Sequence, residues 1–282
     1  MRILAVGDIV GEIGLKKAAE LLPGIKEKYK IDFIIANGEN SAEGMGITEK
    51  LFKEMKRIGI NVITMGNHTW GKKDIFNIID EPELIRPANY PKGIVGKGYN
   101  IFTCNNKKIC VINLIGRVDI NILSENPFLE ADNIINEVKN EADIIIIDFH
   151  AEATAEKICF SKFLANEFNT DEKALIKGFF GTHTHVQTAD EKIIKGMAYI
   201  TDAGFCGAYD SVIGMEYSTS LKRLSTSLPE RYEIAESNLA QINGVEVLID
   251  RTKATSIKRI NILVDNNEQE RKADLDSGGI KG

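Results

Sequence analysis

The stretch Ile31-Asp32-Phe33-Ile34-Ile35-Ala36-Asn37-Gly38-Glu39-Asn40 changes character at one point. Ile31–Ala36 reads as a short, mostly apolar strand, and Asn37-Gly38-Glu39-Asn40 then delivers two amides and a carboxylate. The same order recurs along the chain. Arg2–Val6 runs into Gly7-Asp8, and Asn61–Met65 into Gly66-Asn67-His68. Ile144–Asp148 gives Phe149-His150, and Gly178-Phe179-Phe180-Gly181 leads to Thr182-His183-Thr184-His185. In open α/β sheets, ligands bind at the carboxyl ends of strands. Five strand ends here carry groups able to bind one.

Helical patterns fall between these strands, which is the α/β signature. Leu15–Leu22 reads as a helix with Pro23-Gly24 near its end, and Thr48–Ile58 as a second with Thr48 as N-cap. Further helices are expected around Asp74–Ile79, Asn133–Lys139 and Ile158–Glu167. Ile109–Leu114 reads as a strand, and Lys192–Ile200 as a strand pair or one long strand. Val245–Asp250 and Ile257–Val264 alternate like a hairpin turning around Arg251–Ser256. Residues 1–265 are expected to form one domain, and 266–282 a polar tail prone to fraying.

Composition narrows the classes. The 282 residues are 43% hydrophobic and 27% charged, which suits a globular core and excludes a disordered chain. The net charge of −6 gives no basic footprint, so stable nucleic-acid binding is not expected. No apolar run is long enough to span a membrane. The N-terminal apolar stretch stops at Asp8 with no small-residue cleavage site, so it reads as a first strand. Four cysteines without a CxxC pair suggest no disulfide framework, and a reducing cytoplasm is the expected location.

The chain has four histidines, and all four lie at these strand ends. A single histidine there is more often a packing residue. Four together, with Asp8, Glu39, Asn40 and Asn67, point to a site. Carboxylates, amides and imidazoles without a thiolate pair suit a hard or borderline divalent metal. The donors exceed the needs of one ion. Dinuclear hydrolases hold two ions about 3.5–4 Å apart. His183 and His185 could serve one ion each, Glu39 or Asp8 could bridge, and one histidine remains as a proton donor.

Two other motifs are weaker. Gly7, Gly11 and Gly14 are spaced GxxxGxxG, not as in a dinucleotide loop, and Asp8 would repel a pyrophosphate. His183-Thr184-His185 comes too late in the chain for the HxH of an amidohydrolase barrel.

The ordered blocks Gly7-Asp8, Gly38-Glu39-Asn40, Gly66-Asn67-His68, His150 and Thr182-His183-Thr184-His185 resemble those of the calcineurin-like metallophosphoesterases. The usual DxH opening is absent, since Asp8-Ile9-Val10 stands there, and Glu39 replaces the usual Asp. These departures, with DFHAEATAEK and Tyr199-Ile200-Thr201-Asp202-Ala203-Gly204, are similar to the YmdB-type phosphodiesterases. The resemblance implies a four-layer αββα sandwich. It also implies two metal ions, iron with manganese as a substitute, and 2′,3′-cyclic nucleotides as substrates. Carried over, Asp8, Glu39, Asn40 and His185 hold one ion. Glu39, Asn67, His150 and His183 hold the other, with Glu39 bridging. His68 is the implied proton donor, acting as a bridging metal hydroxide attacks phosphorus.

Trp70 offers a surface for a base, and Asn113 and Arg117 offer phosphate contacts, though packing and solvent exposure explain each as well. Cys206 reads as a small packing residue. A phosphomonoesterase or nuclease using the same centre is an alternative, as is a non-catalytic sensor of metal or nucleotide. A homo-oligomer is expected only because symmetric dimers are common.

Overall fold

The computed structural model describes residues 1–170 and 172–265, and the expected tail at 266–282 lies outside them. The chain opens with β1 (Arg2–Ile9), α1 (Gly11–Tyr29), β2 (Phe33–Asn37), α2 (Glu49–Arg57) and β3 (Val62–Thr64). A 3₁₀ helix (Lys73–Asn77) and β4 (Leu84–Ile85) follow, then β5 (Tyr99–Cys104) and β6 (Lys107–Ile115). The middle of the chain adds α3 (Pro127–Val138), β7 (Ile144–His150), α4 (Thr154–Phe168) and β8 (Ile176–Thr182). It closes with β9 (Lys192–Ile194), β10 (Met197–Ile200), β11 (Phe205–Ala208), α5 (Tyr217–Thr226), β12 (Leu239–Asp250) and β13 (Lys253–Asp265).

These strands make two sheets, ordered β13-β12-β11-β1-β2-β3-β4 and β5-β6-β7-β8-β10-β9. The period-2 geometry of a strand explains how the sheets stack. In β1, Ile3 and Ala5 face the second sheet while Leu4 and Val6 face the helices. In β7, Ile144 and Ile146 face the first sheet while Ile145, Ile147 and Phe149 face α3 and α4. One core therefore lies between the sheets, and one lies under the helices on each outer face. The result is the expected four-layer αββα sandwich. Among the described residues, no helix is long and apolar enough to cross a membrane.

Several boundaries differ from expectation, each for a physical reason. α1 does not stop at Pro23-Gly24 but runs seven residues further than Leu22, to Tyr29. Proline removes one backbone hydrogen bond, yet Leu21, Leu22 and Ile25 continue the buried face across it. The helix ends at Lys30, in the left-handed region at φ 53°. The helix expected near Asp74–Ile79 is the short 3₁₀ turn Lys73–Asn77. Lys192–Ile200 resolves into the antiparallel pair β9–β10. The C-terminal hairpin is longer than expected, and its pairing closes at Asp250 with Lys253, so Ala254–Ser256 belong to the strand and not to the turn. Thr48 caps α2 as expected, accepting from Leu51 N at 3.3 Å.

Parallel β1, β2, β3, β7 and β8 all end at one edge of the sandwich. That edge carries the candidate site.

Candidate metal centre

Each sheet brings a different chemistry to this edge. Asp8 on β1, Glu39 and Asn40 after β2, and Asn67 after β3 supply oxygen. His150 at the end of β7, and His183 and His185 after β8, supply imidazole nitrogen.

The tightest convergence is on His150 Nε2. Asn67 Oδ1 lies 2.8 Å from it, Glu39 Oε1 3.0 Å and His183 Nδ1 3.1 Å. Glu39, His150 and His183 offer ligand atoms that all lie within 4.8 Å of one another. The hydrogen bonds on the far side of each ring orient these atoms. Thr182 Oγ1 donates to Asp148 Oδ1 at 2.8 Å, so it accepts from His150 Nδ1–H at 2.9 Å and leaves Nε2 as the ligand atom. His183 Nε2–H donates to Glu152 Oε2 at 2.9 Å, leaving Nδ1. Two ring nitrogens 3.1 Å apart repel through their lone pairs unless a proton or a cation lies between them.

A second group lies alongside. His185 Nδ1–H donates to Ile213 O at 2.8 Å and turns Nε2 toward Asp8 Oδ1, 3.8 Å away. Asp8 Oδ2 accepts from His183 N at 3.1 Å, while Oδ1 is buried without a hydrogen-bond partner. Asn40 Oδ1 is also buried and unpartnered. An orphaned buried acceptor costs about 1–3 kcal/mol, and a cation would satisfy both. The donor set therefore fits the ions that the resemblance implies.

The buried carboxyls and imidazoles shift one another's protonation. Burial would raise the Glu39 carboxyl, but the His150 and His68 rings hold it down at about 2. Burial works equally against a charged His150, yet Glu39, Asp8 and Asp148 lift it to about 9. His183 is pushed down to about 3 by burial and by the His150 charge, which keeps it neutral. Burial also raises Asp8, against the pull of His185 and His150.

Gly66 is required by this crowding. A Cβ there would sit 2.3 Å from His150 Cδ2 and 2.4 Å from Glu39 Oε2. His183 and His185 both adopt positive φ, at 99° and 60°. A non-glycine residue there stores strain of roughly 1–3 kcal/mol.

His68 stands at the rim, with its side chain 31% exposed. Its backbone N–H donates to Glu39 Oε2 at 2.9 Å. Asn40 Nδ2 donates to Gly44 O at 3.0 Å and lies 3.1 Å from His68 Nδ1.

The candidate substrate contacts divide differently. Trp70 stacks on Phe76 at 5.7 Å and packs beside Tyr90 at 5.9 Å, so packing accounts for it. Asn113, offered as a phosphate contact beside a packing role, is fully buried and its amide serves Met65 N and Asp148 O. It supports the floor of the site. Arg117 is exposed and its backbone N–H donates to Glu156. Cys206 is buried, as a packing residue should be, and burial pushes its thiol up to about 12.

Sequence reading missed Glu152, Thr182, Asp148, Lys157 and Asp202. Glu152 and Lys157 lie within the DFHAEATAEK block and Asp202 within Tyr199–Gly204, so the quoted segments held the signal without showing a role.

A family model described as YmdB-like protein matches residues 4–260. The 2′,3′-cyclic-nucleotide 2′-phosphodiesterase of Bacillus subtilis (strain 168) is 46% identical over 269 residues, covering 95% of this chain and 98% of that protein. A crystal structure from Mycoplasma pneumoniae, described as a novel phosphatase, superposes with a TM-score of 0.86 at 35% identity over 94% of each chain. A hypothetical protein of Thermus thermophilus gives a TM-score of 0.85 at 31% identity, over 93% of this chain and 99% of that one. With the family model spanning residues 4–260 and the Bacillus subtilis relative 46% identical over 95% of the chain, the chain belongs to the YmdB-like protein family.

Proposed function

We propose that this enzyme hydrolyses 2′,3′-cyclic nucleotides with two bound metal ions, iron in the first instance and manganese as a working substitute. The observation that carries the reading is the meeting of Glu39 Oε1, Asn67 Oδ1 and His183 Nδ1 on His150 Nε2 beside a partly exposed His68. The substrate class comes from the Bacillus subtilis relative, whose name specifies it.

Asp8, Glu39, Asn40 and His185 would hold one cation. Glu39, Asn67, His150 and His183 would hold the other, with Glu39 common to both. Bound cations would offset the phosphodiester charge and make water a stronger acid.

The chain's own residues do the rest. Asn40 Nδ2 lies 3.1 Å from Nδ1 of His68, which leaves Nε2 as the ring atom available to substrate. As an imidazolium, His68 would pass its Nε2 proton to the departing sugar oxygen as water adds to phosphorus and the P–O bond breaks, and would be left as the neutral ring. Cleavage of the 2′ bond leaves a nucleoside 3′-phosphate. Strain in the five-membered ring lowers the barrier to opening it.

The test is turnover of 2′,3′-cyclic AMP by purified protein with its metals quantified, beside 3′,5′-cyclic AMP and p-nitrophenyl phosphate. Metal-dependent turnover of the 2′,3′ ring, lost in His68→Ala, is the expected result. Faster monoester hydrolysis would favour the phosphatase reading, to which the description of the Mycoplasma pneumoniae structure points. Saturable nucleotide binding without product would overturn catalysis altogether.

A further inference from the structure

Lys157 and Asp202 form an ion pair at 2.8 Å, and both side chains are completely buried. Two charges removed from water gain little net stability unless further hydrogen bonds satisfy them. The hydrogen bonds on this pair are concentrated in one place. Lys157 Nζ donates to Thr182 O at 2.9 Å. Asp202 Oδ2 accepts from Thr184 N at 3.2 Å and from Thr184 Oγ1 at 2.7 Å. The remaining oxygen, Oδ1, accepts from Gly204 N at 2.9 Å.

Thr182 and Thr184 flank His183. The pair thus grips the chain on both sides of a residue held at φ 99°, with His185 at φ 60° two positions on. Positive φ is uncommon for residues other than glycine, so two such residues in one short turn need an outside hold. Thr182 is also the residue whose hydroxyl accepts from His150 Nδ1–H. The surroundings make room for the lysine. At Gly181 a Cβ would sit 1.9 Å from Thr201 O and 3.0 Å from Lys157 Cδ. Lys157 comes from α4 and Asp202 follows β10, so the grip is anchored on two elements that carry none of the seven donors.

We propose that Lys157 and Asp202 are positioning residues. They hold the Thr182–His185 turn in its left-handed conformation so that His183 and His185 present their ring nitrogens to the two cation sites. The inference rests on the reading of the site as a metal centre. A pair acting only as a structural brace would cost thermal stability when removed. A positioning pair also weakens cation binding by the protein that remains folded, by about 10–100-fold for an outer partner of a ligand.

The experiment uses the full chain stripped with a chelator. Mn²⁺ binding is followed by isothermal titration calorimetry, and folding by circular dichroism and melting temperature. Three variants are compared with wild type. Thr184→Val deletes one hydrogen bond to Asp202. Asp202→Asn removes one charge, and Lys157→Met with Asp202→Asn removes both, leaving no unpaired buried charge to unfold the chain. In the folded double variant, Mn²⁺ affinity is expected to fall at least tenfold. At saturating Mn²⁺, kcat falls while KM for 2′,3′-cyclic AMP holds, and Thr184→Val lies between wild type and the double variant. A folded double variant that binds Mn²⁺ as wild type does would overturn the positioning role while leaving the proposed function standing. A wild-type protein that binds no Mn²⁺, Fe²⁺ or Zn²⁺ would overturn both.

Discussion

The amide of Asn40 lies 3.1 Å from His68 Nδ1, and a backbone carbonyl settles which way that amide faces. Because Nδ2 donates to Gly44 O, the NH₂ end faces the ring, and His68 Nδ1 must accept. Neutral His68 therefore carries its proton on Nε2, while Asn40 Oδ1 is turned the other way and left unpartnered. One amide would thus orient the proposed proton donor and offer an oxygen to a cation.

His68→Ala removes the proposed proton donor but none of the seven proposed metal ligands. The expected result is a loss of about 10²–10⁴ in kcat with two metals still bound. Elemental analysis of the purified variant beside its kinetics checks this. A variant without metal would show that His68 is a ligand.

Glu39→Ala should reduce occupancy at both sites, because the carboxylate is proposed as common to them. It also leaves the His150 ring without its nearest carboxylate, Oε1 at 3.0 Å. Breaking a buried pair typically costs about 3–5 kcal/mol, so the metal-free variant should melt well below metal-free wild type. Full retention of two metals in the folded variant would exclude a bridging role.

The pH dependence follows from the same pair. Glu39 is depressed to about 2, so its contribution to stability is complete above its ordinary value near 4.5 and is lost as pH falls through about 2. His150 is raised to about 9, so its contribution is complete below 6.5 and is lost as pH rises through about 9. Asp148 tilts this profile, because burial raises it to about 7 and the cost of ionising it grows from pH 3.8 upward. His183, held down at about 3, takes stability away as pH falls below 6.5, so the metal-free protein should be most stable on the mildly acidic side, where this loss and the Asp148 cost offset each other. His150 must lose its proton to bind a cation, so affinity should climb with pH until about 9, with proton release on binding. Melting curves in chelator, and titration calorimetry in buffers of different ionisation enthalpy, measure the two halves.

Gly66→Ala tests the packing of the centre without touching a ligand. The added methyl would overlap both His150 and Glu39, so one of them must move. The expected outcome is loss of cation binding at the Glu39–His150–His183 group with a destabilisation of roughly 1–3 kcal/mol. Normal affinity in this variant would mean that the site rearranges more freely than its burial suggests.

The centre was legible where chemistry sits at the end of a strand. Asp8, Glu39, Asn67, His150, His183 and His185 announce themselves because polar residues break an apolar run at one recurring place. Thr48 was legible for the same reason, since a cap is a local hydrogen bond. Lys157 was not. A lysine in a helix reads as solvated, and only a partner 45 residues away in sequence makes it buried. Asn113 misled in the opposite sense: it follows the strand pattern, but its face of β6 looks into the inter-sheet core. Two-residue β4 and four-residue β11 are too short to show a period. α1 ran past Pro23 because packing of Ile25 outweighed a local breaker.

The allocation of oxygen donors to one sheet and nitrogen donors to the other has a consequence for the order of events during folding. Neither sheet alone owns a complete coordination set. The first sheet is itself unfinished until late, because β1 lies between β2 and β11, and Asp8 pairs in register with Phe205. A nascent chain released before that point has no place to capture a cation. If the proposed ligands hold the ions, metal capture would follow the folding barrier, and cations should leave the refolding rate unchanged and slow unfolding instead. The bound ions would act as a latch, closed only after the sandwich is assembled.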